Sequence, residues 1–204
     1  MIFSCGQDCP ENINTLPMYG GKKKCPEQIK SDNEFIAECD KTFSSRKEAS
    51  QYYVWKGWEY FYKNDLDSSM KRFNQAWLLD KTNSEIFWGF GNLLGMKRQI
   101  KESIPLFEKS IELNPNNSKV YESLSTSYGY LFNETKKVEY LKSTIDNLKK
   151  AIKLDKENPD LYGKISNAYM FFMQKDSLRK YIKIAENLGS KNIDPEAKRI
   201  ANQK

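Results

Sequence analysis

The sequence predicts an all-α solenoid of four stacked helix pairs with a capping helix at each end. Three observations support this fold class: a pattern that recurs about every 34 residues, apolar residues at helical spacing in both halves of each repeat, and small residues at matching positions. Because a single pair of short helices cannot bury its apolar face alone, we expect the pairs to stack on one another.

The clearest repeat spans residues 84–117, with the sequence SEIFWGFGNLLGMKRQIKESIPLFEKSIELNPNN. A break at 97–99 separates two halves, and each half carries an apolar stripe at helical spacing. The stripes consist of Phe87, Phe90, Gly91 and Leu94 in the first half and of Ile104, Phe107 and Ile111 in the second. This pattern predicts two short antiparallel helices.

The same pattern predicts further repeats at 50–83, 118–158 and 159–192. The third is seven residues longer than the repeat at 84–117, so we expect an insertion between its helices, around FNETKKVEY. Small residues would let the paired helices approach closely: Gly57, Gly91, Ser125 and Ser166 on the first helices, and Ala76, Ser110, Ala151 and Ala185 on the second. Aromatic side chains are expected to fill the gaps between repeats.

Sequence patterns at both ends predict capping helices. Ser31 followed by Glu34 predicts the start of a helix over 31–45, and its apolar stripe would cover the open end of the first repeat. That stripe consists of Phe35, Ile36, Cys39 and Phe43. Ser45 with Glu48 is the capping box expected to open the first repeat helix. Asp194, Pro195 and Glu196 predict a terminal helix within 193–204.

Composition argues against catalysis. The chain has 33 basic and 27 acidic residues, a net charge of +6, and no histidine. Without imidazole, neither a Ser-His-Asp triad nor a Cys-His pair is possible. The four cysteines lack the paired C-x-x-C spacing of a zinc site, and no glycine-rich phosphate loop is present. We therefore expect no enzyme activity, no cofactor, no metal and no nucleic-acid partner.

The repeated pattern resembles the tetratricopeptide repeat (TPR) over residues 50 to about 188. The resemblance implies a right-handed solenoid whose first helices line a concave face that contacts a protein or peptide ligand. The positions that match this face are Val54, Trp55, Trp58, Phe61, Tyr62, Trp88, Asn92, Met96, Thr126, Tyr130, Asn167, Met170 and Phe171. Trp and Met side chains suit an apolar or extended peptide segment.

This face has two other interpretations. In the first, the aromatic residues contact the helix at 31–45 or the insertion of the third repeat, so that the face is filled by the protein itself. In the second, the face is the carboxylate clamp of some TPR adaptors, which needs paired cations and amides. The corresponding positions are Val54, Trp58, Gly89, Lys119 and Ser123, and Lys119 alone matches, so the clamp is rejected.

Ile2-Phe3-Ser4-Cys5 matches the end of a bacterial lipoprotein signal. Together with LPMYGG at 16–21 and MKRFNQAWLLD at 70–80, this pattern resembles that of bacterial TPR lipoproteins. The resemblance implies that 1–4 is a signal remnant and that Cys5 carries a lipid. Residues 5–30 have no helical or strand period and are expected to form a flexible tether. In an oxidising compartment Cys9 and Cys25 would form a disulfide, whereas in the cytosol all four cysteines would stay reduced.

These expectations combine into one hypothesis for function. The chain is a non-catalytic scaffold of the bacterial envelope, lipid-anchored or periplasmic, that binds a protein or peptide through its aromatic face. Two alternatives remain open at this point. One is a cytosolic TPR adaptor, and the other is an accessory subunit of an enzyme or nucleic-acid complex that uses the basic surface.

Overall fold

The computed structural model describes residues 9–203, and within them the regular structure is helical, which confirms the all-α prediction. Two short 3-10 turns, Ile13–Thr15 and Pro17–Gly21, precede ten α-helices. The helices are α1 Pro26–Thr42, α2 Arg46–Tyr62, α3 Leu66–Leu79, α4 Ser84–Met96, α5 Ile100–Leu113, α6 Ser118–Thr135, α7 Val138–Leu154, α8 Pro159–Phe171, α9 Lys175–Asn187 and α10 Pro195–Asn202. None of these helices is long and apolar enough to cross a membrane.

The chain forms two compact units, Met1–Lys97 and Arg98–Lys204. The first contains the N-terminal segment and α1 to α4, and the second contains α5 to α10. Helices α2 and α3 correspond to the repeat predicted at 50–83, α6 and α7 to that at 118–158, and α8 and α9 to that at 159–192.

The core of the first unit is organised around the fully buried ring of Phe73 on α3. A Cβ atom on Gly57 of α2 would lie 2.8 Å from this ring, and one on Gly89 of α4 would lie 2.3 Å from it. The ring therefore occupies the space that the two glycines leave open, and it contacts both first helices at once. This is the aromatic filling expected between repeats, although Gly89 was not among the small residues singled out by the pattern.

Helix α1 covers one side of the first helix pair. Cys39 is buried with Ala49 of α2 and Leu79 of α3, and the ring of Phe35 packs edge-on against Tyr53 at 5.1 Å. The helix begins at Pro26, however, and not at Ser31. Proline at the first helical position favours that start, and the Gln28 side chain accepts a hydrogen bond from the Cys25 amide at 3.3 Å.

The helix also ends at Thr42 rather than at residue 45, because Ser45 is already the N-cap of α2. The Ser45 hydroxyl accepts a hydrogen bond from the Glu48 amide at 3.2 Å, as a capping box requires. The Glu48 carboxylate reaches back one residue further than expected and accepts the Ser44 amide at 3.0 Å. Hydrogen bonds from Ser44 hold the pKa of the Glu48 carboxyl below its ordinary value.

The part of the N-terminal segment that the structure describes is docked on α3, and the prediction of a flexible tether is wrong there. Asn74, which is buried, accepts a hydrogen bond from the Tyr19 amide at 3.4 Å. Its amide nitrogen donates to the carbonyl groups of Asn14 at 3.1 Å and Leu16 at 2.9 Å. A segment without a helical or strand period is thus held by one distant side chain that satisfies three of its backbone groups.

Apolar and covalent contacts complete this docking. Ile13 and Tyr19 are buried, and the Tyr19 ring lies 6.4 Å from Trp77 of α3. Burial raises the pKa of the Tyr19 phenol, and the Lys24 ammonium lies 3.1 Å from the centre of its ring. A disulfide joins Cys9 to Cys25 at the start of α1.

In the second unit, the third repeat has no insertion between its helices. Instead, α6 has 18 residues and α7 has 17, compared with 13 in each of α8 and α9. Two residues, Lys136 and Lys137, connect α6 and α7, and Lys136 adopts a positive φ of 58° that ends α6. The expected insertion at FNETKKVEY is therefore wrong, because the surplus residues extend both helices.

The second unit ends in the predicted capping helix. Ala197 and Ala201 of α10 are buried against a core that includes Ile182 and Ala185 of α9. The helix is capped by Asp194, which accepts a hydrogen bond from the Glu196 amide at 2.8 Å. The Arg179 guanidinium donates to the Ala201 carbonyl group at 2.6 Å, so α9 also holds the end of α10.

The contact between Phe73 and Gly89 makes a stability prediction. Gly89→Ala places a methyl group where the ring lies, and overpacking of this kind lowers the free energy of unfolding by about 1–3 kcal/mol. Gly95→Ala is the matched control, since a Cβ there meets nothing within 4 Å and the higher helix propensity of Ala adds up to about 1 kcal/mol. Urea unfolding curves measure both changes. Equal stabilities for the two variants would show that the ring does not need Gly89.

The docking of the N-terminal segment makes a second prediction. Asn74→Ala removes the partner of three backbone groups, so we expect a loss of about 1–3 kcal/mol in unfolding free energy and fast hydrogen exchange at the Tyr19 amide. Asn33→Ala, an exposed asparagine on α1, is the control. If the Tyr19 amide stays as protected in Asn74→Ala as in the wild type, Asn74 does not hold the segment.

Candidate functional site

Two neighbouring helices of the first unit present a surface that we call the aromatic face. It consists of Gln51, Trp55, Trp58 and Tyr62 on α2 and of Glu85, Trp88, Asn92 and Met96 on α4. Within each set, successive residues are three or four positions apart, and the last lies eleven positions after the first. Each set therefore forms one stripe along its helix. The Gln51 amide donates to the Glu85 carboxylate at 3.3 Å, and the rings of Trp58 and Trp88 lie 4.4 Å apart.

Trp58 lies at the centre of this face. The Trp58 ring contacts Trp88 on one side and packs edge-on against Phe73 at 5.3 Å. The core residue Phe73 therefore supports Trp58 from below the face. Trp58 also stacks on Tyr62 at 6.1 Å and packs edge-on against Phe61 at 5.3 Å. These contacts join rings of α2, α3 and α4 into one rigid group.

Large apolar side chains of the face are open to solvent. Tyr62 is 78% exposed, Trp55 is 56% exposed and Met96 is 52% exposed. Trp58, Phe61 and Trp88 are half-buried. Exposed apolar groups that lie next to one another are uncommon on monomeric proteins unless they bind something. The face therefore offers rings fixed in position by the core together with side chains free to contact a ligand.

Charges at the edge of the face are already paired. The Glu59 carboxylate accepts hydrogen bonds from Lys63 at 2.6 Å and Lys56 at 2.9 Å, and these bonds lower its pKa to about 2. The Lys56 ammonium lies 4.4 Å from the centre of the Trp55 ring. Asp67 and Lys97 form a further pair at 3.0 Å. The chemistry that the face offers is thus mainly apolar and aromatic.

Val54 is one of the predicted ligand contacts, but the structure does not place it on the aromatic face. Its side chain is fully buried, so it supports the face from within and cannot contact a ligand. Gln51 and Glu85 belong to the face but were not predicted. Extending the same helical period by one step toward the start of each helix, from Trp55 to Gln51 and from Trp88 to Glu85, would have found them.

Of the two internal occupants considered, helix α1 has other contacts within the first unit. Phe35 of α1 packs against Tyr53 at 5.1 Å, and Phe43, the residue after α1, packs against Tyr52 at 5.4 Å. The third repeat has no insertion, because FNETKKVEY continues α6 and begins α7. Each ring contact found for Trp58 is with a residue of α2, α3 or α4.

The second unit brings three of its predicted residues, Thr126, Tyr130 and Asn167, together in a cleft of about 380 Å³. Thr126 and Tyr130 of α6 line it, together with Lys164 of α8. The Arg98 guanidinium lies 5.6 Å from the centre of the Tyr130 ring, and Lys164 pairs with Glu122 at 2.7 Å. This cleft is more polar than the aromatic face.

Asn167 also borders the cleft, but its amide is already used. Its nitrogen donates to the Asn192 carbonyl group at 3.2 Å, and its oxygen accepts the Asp194 amide at 3.0 Å. Asn167 therefore positions the loop before α10 and is not free for a ligand. Met170 packs on the core of the second unit, while Phe171 is exposed and meets Phe132 edge-on at 5.3 Å.

The cysteines offer little for metal chemistry. Cys5, the predicted lipidation site, lies outside the described residues. Cys9, Cys25 and Glu27 lie close together, but metal binding needs thiolates and both sulfur atoms are in the disulfide. Cys39 is a buried thiol, as expected, and burial raises its pKa.

Comparison with known proteins identifies the repeat. Residues 84–117 match the tetratricopeptide repeat. The structure of YrrB, described as a TPR protein with an unusual peptide-binding site, aligns with a TM-score of 0.62 and 19% identity, over 82% of this chain and 79% of that chain. No curated protein sequence matches the chain.

Two further solved structures share the fold. A MamA structure aligns with a TM-score of 0.60 and 18% identity, over 82% of this chain and 95% of that chain. TTC0263, a TPR protein of Thermus thermophilus, aligns with a TM-score of 0.59 and 17% identity, over 74% of this chain and 79% of that chain. The family match thus covers one repeat, residues 84–117, and the solved structures show that the chain shares the fold of tetratricopeptide repeat proteins.

Proposed function

We propose that the protein is a non-catalytic scaffold that binds an extended, apolar segment of a partner protein through its aromatic face. The observation that carries this proposal is the pair of stripes on α2 and α4, with Trp58 and Trp88 in contact at 4.4 Å and Trp55, Tyr62 and Met96 exposed around them. Rigid aromatic anchors bordered by polar groups are the usual centre of a protein-binding surface.

Asn92 is the polar member of the face that suits the backbone of such a segment. Its amide nitrogen donates to the Trp88 carbonyl group at 2.8 Å, and its oxygen can accept a hydrogen bond from a backbone amide. Gln51 is held within the face, since its nitrogen donates to Glu85 at 3.3 Å and its oxygen accepts from Asn83 at 3.4 Å. The similarity to YrrB supports the proposal, because that protein is described as having a peptide-binding site on the same fold. The paired charges at the edge leave apolar contact as the main source of affinity.

We also propose that the protein works in the bacterial envelope as a lipoprotein. The pattern Ile2-Phe3-Ser4-Cys5 supports this location. The disulfide between Cys9 and Cys25 is consistent with it, because disulfides persist in oxidising compartments and are rare in the cytosol. The alternative is a cytosolic adaptor with the same aromatic face.

To test the binding proposal, peptides that bind the full chain are first selected from a random displayed library. Replacing three exposed side chains of the face, as Trp55→Gln, Tyr62→Ser and Met96→Gln, should weaken peptide binding at least about tenfold in fluorescence polarisation. The control replaces three exposed apolar residues elsewhere, as Ile29→Gln, Leu154→Gln and Met173→Gln, and should bind normally. Selected peptides that bind both triple variants equally well would refute the aromatic face as the site.

The location is tested by mass spectrometry of the protein from membranes of its native host. We expect a mature chain that begins at a lipid-modified Cys5, and a Cys5→Ser variant that is no longer found in the membrane fraction. The same digest without reductant should contain a linked pair of peptides with Cys9 and Cys25. A chain with unmodified Cys5 in the soluble fraction would favour the cytosolic alternative.

A further inference from the structure

The net charge of the protein is not spread evenly. The second unit has 20 basic and 14 acidic residues, whereas the first has 13 of each, so the whole formal charge of +6 belongs to the second unit. Within it, the stretch 136–156 has seven lysines against three acids, and α9 has four basic residues against two acids. The excess of basic residues is thus concentrated on and beside the second helices of the last two repeats, α7 and α9.

Lysines of α7 form a single exposed stripe. Lys142, Lys149 and Lys153 are exposed and follow the spacing i, i+7, i+11, which spans about 16 Å along one side of the helix. Asp146 is the one acidic residue among these positions. Among the ion pairs of residues 98–203, none involves these three lysines.

Helix α9 continues this surface. Lys149 lies 5.9 Å from the centre of the Tyr169 ring, and that ring stacks on Tyr181 of α9 at 5.4 Å. Lys180 lies 5.8 Å from the centre of the Tyr181 ring, and Lys183 follows it. Neither Lys180 nor Lys183 is part of an ion pair in the described second unit. We call these five lysines, Lys142, Lys149, Lys153, Lys180 and Lys183, the lysine face.

We propose that the lysine face binds the anionic headgroups of a lipid bilayer, in addition to any lipid on Cys5. A fluid anionic surface attracts several lysines outside ion pairs at once and requires no shape match. The exposed Val138 at the start of α7, with Lys136 and Lys137 before it, also suits the headgroup boundary, where an apolar side chain lies beside cations.

Nucleic acid fits this surface less well. All seven basic residues in 136–156 are lysines. Lysine lacks the planar guanidinium group with which arginine forms two parallel hydrogen bonds to a phosphate. The tyrosines beside the lysines are packed inward, since Tyr169 is buried and Tyr181 is half-buried, so they offer no platform on which bases stack. Duplex DNA therefore serves as a competing outcome in the test.

The test is co-sedimentation of the full, unlipidated chain with vesicles of phosphatidylcholine, with or without about a third phosphatidylglycerol. We expect binding only to the anionic vesicles, and its loss at high salt because screening weakens exposed charges. Replacing Lys142, Lys149 and Lys153 with glutamine should weaken binding about a hundredfold, since each lysine contributes roughly fivefold. A second variant, Lys180→Gln with Lys183→Gln, should weaken it by about twentyfold.

The matched control changes the same number of charges in the first unit, as Lys22→Gln, Lys23→Gln and Lys47→Gln, and should bind vesicles within about threefold of the wild type. An equal loss in the control would overturn the lysine face as a defined site, as would the absence of vesicle binding at low salt. Tighter binding to a duplex of about 20 base pairs than to the anionic vesicles would overturn the choice of lipid. Peptide binding at the aromatic face is measured separately, so failure of one proposal leaves the other testable.

Discussion

The structure of the first unit depends on the contact between Phe73 and two glycines. Because neither Gly57 nor Gly89 has a side chain, the ring contacts the backbones of α2 and α4 together. This contact sets the distance between the two first helices, and the same ring supports Trp58 edge-on. Phe73, a fully buried residue of α3, therefore fixes the position of Trp58 against Trp88. The aromatic face depends on this contact.

The two proposed surfaces differ in the physical force on which they rely. The aromatic face offers apolar area with its edge charges paired, so its affinity comes from burial and should change little with salt. The lysine face offers charge outside ion pairs over packed tyrosines, so its affinity is electrostatic and is screened by salt. The first unit is formally neutral and the second carries the net charge, which agrees with the placement of the lysine face in the second unit.

Local sequence patterns placed most helices but misplaced both ends of α1 and the junction between α6 and α7. Ser31 and Glu34 have the spacing of a capping box, yet both lie inside α1, because Pro26 and Gln28 begin the helix earlier. The surplus of the third repeat was visible in its length, but length alone does not say where extra residues go. They lengthen α6 and α7, and the turn between these helices falls at Lys136 and Lys137, inside FNETKKVEY, although this stretch contains neither proline nor glycine.

The sequence by itself determined the helix pairs, the capping helices and the stripe of Trp55, Trp58 and Tyr62, because helical spacing is a property of neighbouring residues. Only the tertiary structure decided what each residue of the face does. Val54 is buried by packing and Asn167 is used by the loop before α10. Asn74 holds a segment that lies 60 positions away in the chain. These roles depend on contacts between residues far apart in sequence, which no local pattern encodes.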